Sequence, residues 1–148
     1  MPPSIPPGAP AHAQAAYLLG RVGRMQSGGF AERLRSIGLR PKHFLLLNAI
    51  ALAGGASQQE LGRRLGLDPS GLVGAIDELE FMGLAERRRD EADRRRYVLR
   101  LTDDGTGTLT RARRLVSDGA RELLAPLSDA EVDALVDMLR RIAGADDA

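Results

Sequence analysis

Seven arginines fall within residues 87–100: Arg87, Arg88, Arg89, Arg94, Arg95, Arg96 and Arg100. Guanidinium groups at this density pair with phosphates, carboxylates or base edges, because their planar fork presents several donors at once. Glu86, Asp90, Glu91 and Asp93 lie in or beside the run, so composition alone also allows a solvated, internally paired hairpin. No comparable set supports catalysis. His12 and His43 are the only histidines, thirty-one residues apart, and cysteine is absent. That excludes disulfides, thiolate metal sites and a thiol nucleophile. The chain also lacks Gly-x-Ser-x-Gly, a phosphate-cradling glycine loop and His-Glu-x-x-His. The sequence thus predicts neither an enzyme nor a bound cofactor or metal.

Whole-chain properties narrow the classes further. At 148 residues the chain has the size of one domain with a core of its own. Its net charge of +1 is unevenly placed: residues 1–40 carry +4, 41–84 −2, 85–114 +4 and 115–148 −5. A polybasic mechanism for the whole chain is excluded, while a local basic element is retained. Tryptophan is absent, with two Tyr and three Phe, which argues against a stacking platform for single-stranded nucleic acid. No apolar run reaches membrane-spanning length, and residues 1–10 lack the charged and apolar regions of a secretory signal. These features predict a cytoplasmic protein with no membrane partner.

The elements that must position the arginines follow from periodicity and punctuation. Residues 1–11, rich in proline, read as a disordered extension. A helix over 12–37 carries the stripe Tyr17, Leu18, Val22, Met25 and Phe30, and Gly38 ends it. Residues 41–53 open with Pro41 and are apolar nearly all round, so that helix is buried on most faces. Ser57-Gln58-Gln59-Glu60 forms a capping box before a short helix ending at Gly66. A tight link through Leu67, Asp68 and Pro69 leads to a helix with Leu72, Val73, Ile76, Leu79 and Met82 at helical spacing, closed by Gly83. Two short helices joined by such a link are a helix-turn-helix.

The period then becomes two. Residues 85–89 and 97–102 read as strands, with Tyr97, Leu99 and Leu101 on one face, around the charged tip 90–96. A hairpin following a helix-turn-helix makes a winged helix. Thr102 caps a helix running to Leu124, Pro126 breaks it, and Ser128-Asp129-Ala130-Glu131 caps a last helix with Val132, Leu135, Val136, Leu139 and Ile142. The chain is therefore mainly α with one small β-hairpin. The lobe spans 38–104, and the flanking segments 12–37 and 105–143 have apolar stripes but too little core of their own, which predicts a homodimer interface.

The motifs Ser70-Gly71-Leu72-Val73, Asp77-Glu78-Leu79-Glu80, Gly83-Leu84-Ala85-Glu86-Arg87, Asp93-Arg94-Arg95 and Leu101-Thr102-Asp103-Asp104-Gly105 occur in that order. The set resembles the MarR family of bacterial transcription regulators. That family combines a recognition helix ending in Leu-Glu-x-x-Gly-Leu, a wing with Asp-x-Arg, and Leu-Thr-x-x-Gly. The resemblance covers about residues 15–143.

The resemblance implies a homodimeric repressor on a palindromic double-stranded DNA operator. The second helix of each helix-turn-helix would enter the major groove and each wing the flanking minor groove. Arg95 matches the wing arginine of the minor groove, and Asp93 matches the acid that pairs with a nearby arginine and stabilises the wing. Arg88, Arg89, Arg94 and Arg96 join Arg95 as candidate DNA contacts. Where many members carry Arg or Lys in mid-helix, this chain has Gly74, followed by Asp77, Glu78 and Glu80. Contact then falls to Ser70, Gly71 and Gly74 in the first half of the helix, with Gln58 and Arg63 of the preceding helix on phosphate. The family's cleft between dimer helices and DNA-binding lobe implies a small anionic or aromatic effector, with Tyr17, Arg21, His43, Phe44 and Leu47 as its candidate lining. The alternative is a winged helix that binds another protein rather than specific DNA.

Overall fold

The computed structural model describes residues 8–66 and 68–144; residues 1–7 of the expected extension, Leu67 of the expected link and residues 145–148 lie outside the described residues. Six helices and one hairpin follow in the order α1 (Ala11–Arg35), α2 (Pro41–Ala53), α3 (Gln58–Leu65), α4 (Pro69–Phe81), β1 (Ala85–Arg89), β2 (Tyr97–Leu101), α5 (Asp103–Leu124) and α6 (Asp129–Ala143).

Local chemistry sets most boundaries. At the end of α1, Gly38 adopts φ +76° and lets the Leu39 N–H return to the Leu34 carbonyl at 2.9 Å. This wrap is open to glycine without Cβ strain, and it drops Leu39 into the core. Ser57 caps α3 by accepting the Glu60 N–H at 3.3 Å. The reciprocal half of the expected box does not form: the Glu60 carboxylate accepts from Arg64 at 2.7 Å instead. A charged partner one turn along the same helix outcompetes a neutral backbone N–H. At α6 the box is complete in the sense that Glu131 accepts both the N–H and the hydroxyl of Ser128, each at 2.8 Å. Those bonds hold the Glu131 carboxyl below its ordinary pKa.

The strands pair antiparallel from Ala85 opposite Leu101 to Arg89 opposite Tyr97. The Leu99 N–H also donates to the Ala56 carbonyl at 2.9 Å, which anchors the base of the hairpin to the α2–α3 loop. The expected alternation holds only in part: Val98 and Leu99 are both buried and Tyr97 is exposed, because the tip end of the ladder projects beyond the core. β2 ends one residue early, since Thr102 turns away to cap α5. Its hydroxyl donates to the Gly83 carbonyl at 2.6 Å and accepts the Gly105 N–H at 2.9 Å.

The core sits among α2, α3 and α4 and is continuous with Leu34 of α1 and Leu109 and Ala112 of α5. The last turns of α1 and the first half of α5 thus pack into the lobe. Beyond them the apolar stripes are unpartnered: Leu18, Val22 and Met25 of α1 and Val136, Leu139 and Ile142 of α6 are all exposed. α6 buries no residue within the chain, and an isolated 15-residue helix is marginal in water.

Candidate nucleic-acid interface

The wing is braced by its own backbone. The Asp90 N–H donates to the Arg96 carbonyl and the Arg96 N–H to the Asp93 carbonyl, both at 2.9 Å. Arg89 stacks its guanidinium 5.0 Å above the Tyr97 ring and donates to the Arg94 carbonyl at 2.6 Å. Arg89 is therefore a strut of the wing first. Arg88 pairs with Glu86 at 2.7 Å. Arg94, Arg95 and Arg96 are exposed at the tip and have no carboxylate within ion-pair distance among the described residues.

Among the described residues, Asp93 pairs with no arginine side chain. Its Oδ1 accepts the Arg95 backbone N–H at 3.0 Å, two residues on. This local turn is within reach at no cost in long side-chain entropy, so it wins over the ion pair implied by the resemblance.

The helix α4 begins at an Asp68 cap whose Oδ1 accepts the Gly71 N–H at 2.8 Å and the Ser70 hydroxyl at 2.6 Å. These two bonds, the Ser70 one foremost, hold the Asp68 carboxyl below its ordinary pKa. Ser70, expected to face DNA as a donor, thus donates to its own helix cap. Leu72, Ala75, Ile76 and Leu79 are buried, whereas Ser70, Gly71, Val73, Gly74, Asp77 and Phe81 are exposed. Val73 and Met82, expected on the apolar stripe, face solvent instead. Each residue advances 100° around the helix, so Val73 is turned a full step from Leu72. The three acids of α4 are all engaged. Asp77 and Glu80 share the Arg87 guanidinium of β1, with Asp77 at 2.9 Å, and Glu80 also accepts the Arg87 N–H at 3.1 Å. Glu78 takes Arg40, Lys42 at 2.9 Å and His43 at 2.6 Å.

This geometry is that of a winged helix with an exposed second helix beside a basic hairpin tip. The MarR family model matches residues 37–96. A protein of Thauera aromatica described as a transcriptional regulatory protein for the hcr operon is 33% identical over 148 residues, 91% of this chain and 89% of that protein. The chain belongs to the MarR family. Among solved structures, the transcriptional repressor CouR bound to a 23-mer DNA duplex is 34% identical, with a TM-score of 0.73, covering 86% of this chain and 91% of that one. CouR from Rhodococcus jostii RHA1 bound to p-coumaroyl-CoA is 32% identical, with a TM-score of 0.70, covering 90% and 94%.

Two MarR motifs acquire physical reasons here. The glycine of Leu-Thr-x-x-Gly is Gly105, buried against the Leu84 carbonyl of Gly-Leu. The glutamate of Leu-Glu-x-x-Gly-Leu is Glu80, one of the two carboxylates held by Arg87.

The residues expected to line an effector cleft are not brought together within one chain. Leu47 is fully buried in the core, and Phe44 packs edge-on against Phe30 at 5.6 Å between centroids. Tyr17 and Arg21 lie farther up α1; thirteen helical residues separate Tyr17 from Phe30, a rise of about 20 Å. Both nitrogens of the buried His43 are used. Nδ1 accepts the Arg40 N–H at 3.2 Å, which leaves the Nε2 hydrogen to be donated to Glu78 at 2.6 Å. His43 thus ties the start of α2 to α4. Gln58 opens α3 half-buried, and Arg63 is exposed on its last turn. Arg100, which belongs to the basic run but not to the candidate contacts, and Arg113, which no motif marks, flank a cavity of about 340 Å3 walled by Ile50 and Leu109. Nothing local marks that cavity, because it forms between α2, β2 and α5.

Proposed function

We propose that this MarR-family protein acts as a cytoplasmic homodimer that binds a palindromic double-stranded operator and represses transcription until a small anionic or aromatic effector releases it. It is a regulator rather than a catalyst. The observation that carries this reading is the exposed triplet Arg94, Arg95 and Arg96 on a braced wing, without carboxylate partners among the described residues and beside the exposed face of α4. Arginine there gains from the enhanced negative potential of a narrow minor groove. CouR, a transcriptional repressor bound to a 23-mer DNA duplex, supports duplex DNA as the partner. The unpartnered stripes of α1 and α6 supply the homodimer face, and no helix among the described residues is long and apolar enough to cross a membrane.

The effector site is read at the cavity between Arg100 and Arg113, not at Tyr17, Arg21, His43, Phe44 and Leu47. Its size lies at the low end for small-molecule sites, and its mix of apolar wall and guanidinium suits an anion on an apolar body. CouR bound to p-coumaroyl-CoA supports this class. A ligand wedged between wing strand and α5 favours dimers whose recognition helices no longer match successive major grooves about 34 Å apart.

The test is a binding titration on DNA upstream of the protein's own gene at several salt concentrations, with wild type and Arg95→Ala. Arg95→Ala is expected to lose about 1–3 kcal/mol of operator affinity per half-site and to flatten the salt dependence. Equal binding at every salt would remove the wing from the interface and favour a protein-binding winged helix.

A further inference from the structure

The face that α4 turns to solvent is unusual in what it lacks. Residues 69–81 contain no Arg, Lys, Asn or Gln. These are the side chains that make bidentate hydrogen bonds to guanine or adenine in the major groove. The one hydroxyl, Ser70, already donates to Asp68 at 2.6 Å. The carboxylates of Asp77, Glu78 and Glu80 are each held by basic groups of the protein. What remains on the exposed face is apolar: Val73, 37% exposed, in the first half of the helix with Gly74 beside it and open space where a Gly74 side chain would stand, and Phe81, 94% exposed, at the far end of the helix eight residues on. Charge complementarity with the duplex comes from the wing arginines and Arg63, so the helix itself is left with apolar contact.

Resting on the DNA-binding reading above, we infer that Val73 is a specificity-determining residue that reads the thymine C5-methyl in the major groove. Among major-groove features that methyl is the one recognised by apolar contact without a donor or acceptor. Gly74 lets the duplex edge come close enough for the two γ-carbons of Val73 to cover it. Hydrogen-bond readout then belongs to the wing and to phosphate contacts, and the operator carries a thymine under Val73 in each half-site.

The experiment selects operators from random duplexes with the full-length protein, then replaces each thymine singly by deoxyuridine. That exchange removes the methyl and keeps every base-pairing and groove hydrogen-bonding group. At the symmetric thymine under Val73, wild type is expected to lose about fourfold in affinity per methyl, the effect of one buried carbon. Val73→Ala is expected to bind thymine and deoxyuridine operators equally. Val73→Thr, which keeps one γ-methyl, retains a difference between them. Val73 is exposed, so these variants keep the core intact. Insensitivity to deoxyuridine at every thymine, or the same loss in Val73→Ala as in wild type, overturns the inference while leaving DNA binding in place. Failure to enrich or bind any duplex overturns both readings.

Discussion

Gly105 in the first turn of α5 lies directly against the carbonyl group of Leu84: a Cβ built on it would overlap the Leu84 oxygen and stand 2.8 Å from the carbonyl carbon. Helix and turn can approach this closely only without a side chain, and the Thr102 cap fixes the same junction. Gly105→Ala is therefore expected to destabilise the fold by about 1–3 kcal/mol, the range for overpacking a close contact. Gly107, two residues on, would meet nothing within 4 Å. Gly107→Ala should stabilise by up to about 1 kcal/mol through helix propensity. Urea denaturation of the pair checks both signs, and equal effects would show that the Leu84 contact is not limiting.

Arg87 ties β1 to α4 through Asp77 and Glu80. The three side chains are partly exposed, so the network is worth no more than about 1 kcal/mol of stability. Arg87→Ala is expected to lower the thermal midpoint modestly and to speed amide exchange in β1. Arg95→Ala should change stability by less than about 0.5 kcal/mol and leave exchange alone, as befits an exposed tip. Hydrogen-exchange mass spectrometry on both variants separates bracing from contact.

Glu78 gathers His43, Lys42 and Arg40, with the His43 hydrogen bond the largest influence, and its carboxyl is lowered from the ordinary 4.5 to about 2. A carboxyl depressed in the folded state stabilises fully above its unfolded value and loses that contribution as pH falls toward its folded value. Wild type is therefore expected to exceed Glu78→Gln in thermal midpoint at pH 7. The gap should close between about pH 5 and pH 2. Melting curves across that range decide it; a gap that widens on acidification would place the stabilisation elsewhere.

Leu139 and Ile142 lie one turn apart on the uncovered face of α6, with Ile142 70% exposed. Light scattering at micromolar concentration is expected to give twice the 15.9 kDa chain mass. Leu139→Asp combined with Ile142→Asp should give the mass of a single chain, because two carboxylates cannot be buried unpaired in an apolar interface. A wild-type mass of one chain would leave those stripes unexplained by self-association.

The helix limits and the hairpin were legible in the sequence because caps, prolines, glycines and periodicity act over a few residues. Ser57, Thr102, Ser128 and Pro41 each mark a helix start through contacts no longer than one turn. The arginine-dense tip was equally legible, since residues 90–96 can only cross between two paired strands. The exposure of Val73 was not legible. Its apolar type and spacing fit the core stripe, and only the packing of Leu72, Ala75 and Ile76 shows that the stripe is complete without it.

The sequence by itself determined the order of elements, the winged-helix class and the placement of the basic tip, since these rest on short-range backbone and periodicity rules. The tertiary structure alone decided which side chains distant in the sequence pair. Glu78 meets His43, thirty-five residues away, and Arg87 meets Asp77, ten away. The contest for Asp93 and Ser70 was settled by local turns, and the cavity between Arg100 and Arg113 arose where three elements converge. An ionisable side chain is long and promiscuous, so its partner is chosen by which faces pack together, and that choice has no signature in residue spacing.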